Sequence, residues 1–140
     1  MNTTLSTDDK SIRQRNQFIA VFIGLYCEKK RYMFDFKPTY IVYNKYGDKL
    51  TGGNSEAKAW DKFFKNPQMF HNSYNWVMSL VENAERMGAE VIIADKSVTV
   101  KDNSFNYKCV ISDKESKLTA IYDSMYMWMY NYKTHFRLKY

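Results

Sequence analysis

Three short strand candidates between Gly88 and Ser116 are joined by turns too short for a crossover, and this constrains the fold more than any other feature. Val91-Ile92-Ile93 is a buried-type run, and Asp95-Lys96 marks a tight turn. Val98 and Val100 alternate with Thr99 and Lys101 before the second turn at Asp102-Asn103-Ser104. Phe105, Tyr107, Cys109 and Ile111 then alternate with polar residues. Period-two patterning predicts strands, and turns of this length allow only antiparallel neighbours, so the segment predicts a meander.

Helical patterns flank the meander. Residues 71–88 carry the clearest one: Asn72 or Ser73 caps it, Trp76, Val77, Leu80, Val81, Ala84 and Met87 form an apolar stripe, and Gly88 ends it. After the meander, Ser112 with Glu115, or Ser116, caps a last helix facing inward with Leu118, Ile121, Tyr122, Met125, Trp128, Met129 and Tyr132. Lys133 to Tyr140 read as a basic tail. Towards the start, residues 1–8 read as a frayed leader, and Asp8 and Asp9 suit the positive end of a helix dipole. Ile12, Phe18, Ile19, Phe22, Leu25 and Tyr26 predict an amphipathic helix from Asp9 to Cys27, with Arg13, Arg15 and Gln17 off its apolar face and Glu28-Lys29-Lys30-Arg31 as its charged stop. Asn54 or Ser55 caps a short helix to Asn66, stopped by Pro67. Between these lie residues 32–53, where Tyr32, Phe34 and Phe36 alternate with Met33 and Asp35, and Tyr40-Ile41-Val42-Tyr43 has strand composition before turn residues Asn44–Asp48. One or two edge strands, or a long loop packing its rings on the core, fit this stretch. The expected fold is α+β: a small antiparallel meander sheet of three or four strands packed with about three helices, an α/β sandwich in a single domain of residues 1–140.

Composition excludes several classes. At 140 residues, with 45% hydrophobic residues, 17% aromatic, five Gly and two Pro, the chain can bury a core and is neither disordered nor collagen-like. Its longest apolar run, Phe18 to Cys27, is ten residues, short of a membrane span, and no signal-peptide pattern opens the chain. A cytoplasmic location is therefore expected. Two cysteines, Cys27 and Cys109, and two histidines, His71 and His135, lack the spacing of a zinc site, so no metal or cofactor is expected. Cys27 ends an apolar helix and Cys109 points to the apolar side of its strand, which suits structural thiols better than nucleophiles. Asp35 and Asp123 read as outward carboxylates rather than a catalytic pair. No catalytic residue is assigned, and the reading leans away from an enzyme.

The net charge of +6 is concentrated in the first half and the C-terminal segment: residues 36–70 carry six basic and three acidic side chains, residues 71–112 four and five. Such a charge serves solubility, or attracts a polyanion. Lys29, Lys30, Arg31, Lys37 and Lys45 interleave with Tyr40 and Tyr43, the composition with which single-stranded nucleic acid is held by stacking and phosphate contacts, while rings in an aromatic core offer the plainer explanation. Gly52, Gly53, Asn54 and Ser55 open a helix near Lys45 and Lys49, where backbone amides can hold an anion; a turn into a capped helix explains them as well.

Three segments carry a resemblance. Phe18-Ile19-Ala20-Val21-Phe22-Ile23-Gly24, then Ser73-Tyr74-Asn75-Trp76-Val77-Met78 with Val81-Glu82 running to Gly88 and Ala89-Glu90-Val91-Ile92-Ile93, and the closing helix from Ser116 to its Trp128/Tyr130/Tyr132 end resemble small phage and prophage proteins of Bacteroidota, the phage α/β/α-sandwich domain family. The resemblance implies a sandwich fold and a mobile-element origin, in the host cytoplasm, and carries over no site residue. Residues 32–70 and the basic tail depart from it. The leading expectation is thus a non-enzymatic accessory protein of a phage or mobile element that binds a protein or nucleic acid through 29–46 and the tail. A small enzyme or nucleotide-binding protein using the 51–55 turn, and a self-assembling structural or anti-defence protein forming a homo-oligomer, are the alternatives.

Overall fold

In the computed structural model, which describes residues 8–31, 37–112 and 116–137, the protein is α+β with four helices and two three-stranded antiparallel sheets. Two compact units divide the chain. One joins residues 1–15 to 70–140, and the other is the continuous stretch 16–69. The boundary falls inside the first helix, α1 (Asp9–Phe22).

The discontinuous unit holds the predicted meander. Its helix α3 (Tyr74–Arg86) is capped by Ser73, whose hydroxyl accepts from the Trp76 amide, and Gly88 follows it at φ +105°. Strands β4 (Glu90–Ile93), β5 (Ser97–Asp102) and β6 (Tyr107–Ser112) pair in chain order. Register places Val91, Val100 and Cys109 in one row and Ile93, Val98 and Ile111 in the next, on the face that α4 (Lys117–Phe136) covers. Val98, Val100, Ile121, Met125, Trp128 and Met129 are fully buried. Ser116, not Ser112, caps α4 by accepting from the Thr119 amide, and Glu115 lies outside the described residues. Lys133–Phe136, expected as tail, continue α4 for its last turn. Asp102 closes β5: its Oδ1 accepts from the Ser104 amide and hydroxyl, and its Oδ2 from the Trp128 indole N–H at 2.9 Å.

Residues 16–69 fold differently from expectation. α1 starts as read, with the Asp8 carboxylate accepting from the Ser11 amide at 2.8 Å, but stops at Phe22 instead of Cys27. Gly24 at φ +89° turns the chain out of the helix, and Tyr26–Lys30 become strand β1 where the charged stop was expected. β2 (Thr39–Tyr43) and β3 (Lys49–Gly53) follow, so residues 37–53 form two strands and complete a second meander, β1-β2-β3. The turn between them is organised by Asn44, whose side-chain oxygen accepts from the Tyr46 and Asp48 amides at 2.9 Å each. β3 carries a bulge opposite Val42/Tyr43. Helix α2 (Glu56–Phe64), capped by Ser55, packs on all three strands and buries Ala59 and Phe63. The expected alternation over 32–36 lies outside the described residues.

Candidate functional site

Strand register sorts the basic aromatic stretch onto two faces of the β1-β2-β3 sheet. Tyr26 pairs with Tyr43, Glu28 with Ile41 and Lys30 with Thr39 on one face; Cys27 pairs with Val42 and Lys29 with Tyr40 on the other. α2 lies on the second face: Tyr40 is opposite Gly53, and a Cβ on Gly53 would sit 2.8 Å from the Ala59 nitrogen of that helix. Lys29 and Tyr40 therefore belong to the α2 side, and Lys30 and Tyr43 to the other. Arg31 and Lys37 are exposed beyond the strand ends. Lys45 stands in the β2–β3 turn with its Nζ 5.2 Å from the centroid of the exposed Tyr46 ring. The structure thus brings together Lys30 and Tyr43 and separates them from Lys29 and Tyr40.

One residue of this face was missed. Tyr26, read as the last turn of a helix, stacks on Tyr43 with centroids 5.5 Å apart and planes 27° from parallel. Lys49 is the cross-strand partner of Tyr43 on its other side, so Tyr26, Tyr43 and Lys49 form a row across the sheet. Lys30 places its Nζ 5.8 Å from the Tyr43 centroid and 3.1 Å from the Glu28 carboxylate. The signal for Tyr26 was Gly24, whose freedom to take φ > 0 ends a helix more often than it sits inside one.

Gly52, Gly53, Asn54 and Ser55 lie at the β3–α2 junction. Ser55 is occupied as helix cap, its hydroxyl accepting from the Lys58 amide at 3.2 Å. Gly53 is required by packing, because its missing Cβ makes room for the backbone of Lys58 and Ala59. Gly52 has no such demand; a Cβ there would meet the Tyr40 carbonyl oxygen at 3.4 Å. Beside this junction runs an open groove of about 500 Å³ lined by residues 49–54 with Thr39 and Lys62.

In the other unit a polar cluster gathers on α4. Arg15, expected on the outer side of α1, is buried, its guanidinium carbon 5.9 Å from the ring centroids of both Tyr122 and Tyr126. Asp123, expected to face solvent, is half-buried; burial pushes its carboxyl up to about 6 against the pull of Arg15. Burial likewise raises the Tyr122 phenol to about 12, opposed by a hydrogen bond from Arg15, and raises Tyr126. His71, its ring 6.1 Å from that of Tyr122, is held below its ordinary value by burial and by Arg15, with Asp9 opposing. On α4 both chain neighbours of Asp123, Tyr122 and Ser124, are buried, and Asp123 itself is half-buried. Cys27 stands on β1, not at a helix end, and burial and then Glu56 raise its thiol, which keeps it a poor nucleophile. Cys109 is half-buried on β6. Among the described residues no three His, Cys, Asp or Glu come together in a way that could hold a metal ion, and no helix is long and apolar enough to cross a membrane.

No protein-family model, curated protein or solved structure matches the chain.

Proposed function

We propose that the protein is a non-enzymatic binding protein, acting in the cytoplasm as an accessory protein of a phage or mobile element, that holds single-stranded nucleic acid on the Tyr26–Tyr43 face of residues 16–69. The observation that carries this reading is the stacked tyrosine pair in one row with Lys49 and beside Lys30. A base has a π-face whatever its sequence, and stacking on an aromatic side chain contributes about 1–3 kcal/mol per base. Lysines beside the rings meet the phosphates, and residues 16–69 carry nine basic against five acidic side chains. Arg31, Lys37 and Lys45 extend the positive field around the face.

Fluorescence anisotropy with a labelled twelve-nucleotide oligothymidine tests the reading. Binding should weaken log-linearly with salt, with a slope of about −0.7 per phosphate neutralised. A duplex of the same length, whose bases are already stacked, should bind more weakly. Tyr43→Ala should reduce affinity by roughly 5- to 150-fold, the stacking contribution of one base. Affinity unchanged in Tyr26→Ala and Tyr43→Ala, or no binding at low salt, would discard the site.

A further inference from the structure

We infer that the free edge of β3 is a strand-addition site for an extended, acidic peptide segment of a protein partner. The β1-β2-β3 sheet has two edges, and they differ. β1 carries Glu28, Lys29, Lys30 and then Arg31, the run of charge with which sheets discourage a neighbouring strand. β3 runs Lys-Leu-Thr-Gly-Gly, charged only at its first residue, and its two glycines present no side chain to a backbone approaching from the side.

Two further observations single out this edge. The open groove is lined by Lys49 to Asn54 in unbroken sequence, so it follows the strand along its length and does not merely touch it. Among the described residues, Lys49 to Asn54 make no hydrogen bond beyond the β2–β3 pairing. The outward amides and carbonyls of β3 therefore have capacity for one more strand. Five residues at about 3.4 Å each give a ladder near 17 Å, room for a peptide of five or six residues.

Charge selects the occupant. Lys49 on the strand and Lys62 on α2 both line the groove, both are exposed, and neither has an ion-pair partner among the described residues. Among the described residues no carboxylate lines it. A peptide strand with Glu or Asp at alternate positions meets these ammonium groups while its main chain extends the sheet. The groove shares Lys49 with the stacking row but includes neither Tyr26 nor Tyr43, and Lys62 belongs to the groove alone.

The test uses the full chain and the fluorescein-labelled peptide acetyl-Glu-Val-Glu-Thr-Glu-Val-amide. Anisotropy should give submillimolar binding, and amide resonances of residues 49–54 should carry the largest shifts in a ¹H–¹⁵N titration. Methylating alternate peptide nitrogens removes ladder donors and leaves the charge intact; it should weaken binding at least tenfold in one of the two registers. Lys62→Glu should weaken it about tenfold, and Tyr26→Ala should leave it unchanged. The lysine analogue acetyl-Lys-Val-Lys-Thr-Lys-Val-amide should not bind. Absence of shifts at 49–54 with millimolar peptide overturns the inference. So does equal affinity for the parent and both methylated peptides, which would reduce the contact to charge attraction.

Discussion

Asp102 offers the sharpest test of how the meander is held to α4. Its carboxylate is 1% exposed and accepts three hydrogen bonds, two from Ser104 in the β5–β6 turn and one from the fully buried Trp128 indole. Asp102→Ala leaves the Trp128 N–H buried without that acceptor, which costs about 1–3 kcal/mol. Loss of the two turn bonds to a charged acceptor adds about 1 kcal/mol each, less the part that water restores at exposed Ser104. The expected loss is roughly 3–4 kcal/mol, a large part of the ~5–15 kcal/mol that holds a domain together. It should lower Tm by at least roughly 10 °C in a domain of this size. Asp102→Asn, which keeps an acceptor oxygen, should cost about half as much or less. Urea unfolding followed by circular dichroism measures both. In a Trp128→Phe background the Asp102→Ala penalty should shrink by the indole contribution. A penalty under about 1 kcal/mol, or one identical in the two backgrounds, would refute the reasoning. The pH dependence has a definite sign. Burial alone would raise this carboxyl's pKa, but the hydrogen bonds from Ser104 and Trp128 outweigh it and leave the carboxyl below its ordinary 3.8. The stability it contributes is present above that unfolded value and lost as pH falls through the folded one. The Asp102→Ala penalty should therefore be complete at pH 7 and smaller at pH 2–3.

Three other outcomes follow from the geometry. Gly53→Ala forces a Cβ against the α2 backbone and should cost about 1–3 kcal/mol, while Gly52→Ala should cost under about 1 kcal/mol; denaturant midpoints that fail to separate the two would contradict the packing. Gly24→Ala combines φ +89° with a Cβ 3.0 Å from that of Lys45 and should cost on the order of 1–3 kcal/mol, read from the same titrations. Asp123 titrates at about 6 when folded against 3.8 when unfolded, so its contribution to stability is greatest below pH 4 and declines as pH rises to 6. Asp123→Asn should remove that decline, and parallel Tm profiles from pH 4 to 7 for the two proteins would count against it.

Much of the fold was readable where one local rule decided the outcome. Ser55, Ser73 and Ser116 cap the helices they precede, Gly88 ends α3, and alternation located the β4-β5-β6 meander. The failures came where two rules competed. Ile19 to Tyr26 satisfy helical spacing to the end, yet Gly24 and the pairing of β1 with β2 override it. Which of Lys29, Lys30, Tyr40 and Tyr43 share a face depends on register, and register is a property of two strands together, absent from the spacing within either. Arg15 and Asp123 were misplaced because a helical wheel assigns charge outward. The buried Arg15 guanidinium meets the ring faces of Tyr122 and Tyr126, a contact far along the chain from Arg15. The element order α-βββ-α occurs twice, α1 to α2 and α3 to α4, with no repeat visible in the residues themselves.

The division of the chain at residues 15/16 and 69/70 also sets a timetable for synthesis. Residues 16–69 are contiguous, so every contact internal to them is available once Met69 has emerged from the ribosome. Arg15 is made earlier but must wait for Tyr122 and Tyr126. At about 5–20 residues per second, the 57 residues from Met69 to Tyr126 take roughly 3–11 s to translate. During that interval the segment 16–69 can have closed its sheet while the start of α1 still lacks the rings that will bury its guanidinium. A nascent chain halted with Met69 already outside the ribosome and Tyr122 and Tyr126 still inside it should therefore protect its middle from protease and leave its amino-terminal helix turns open to it.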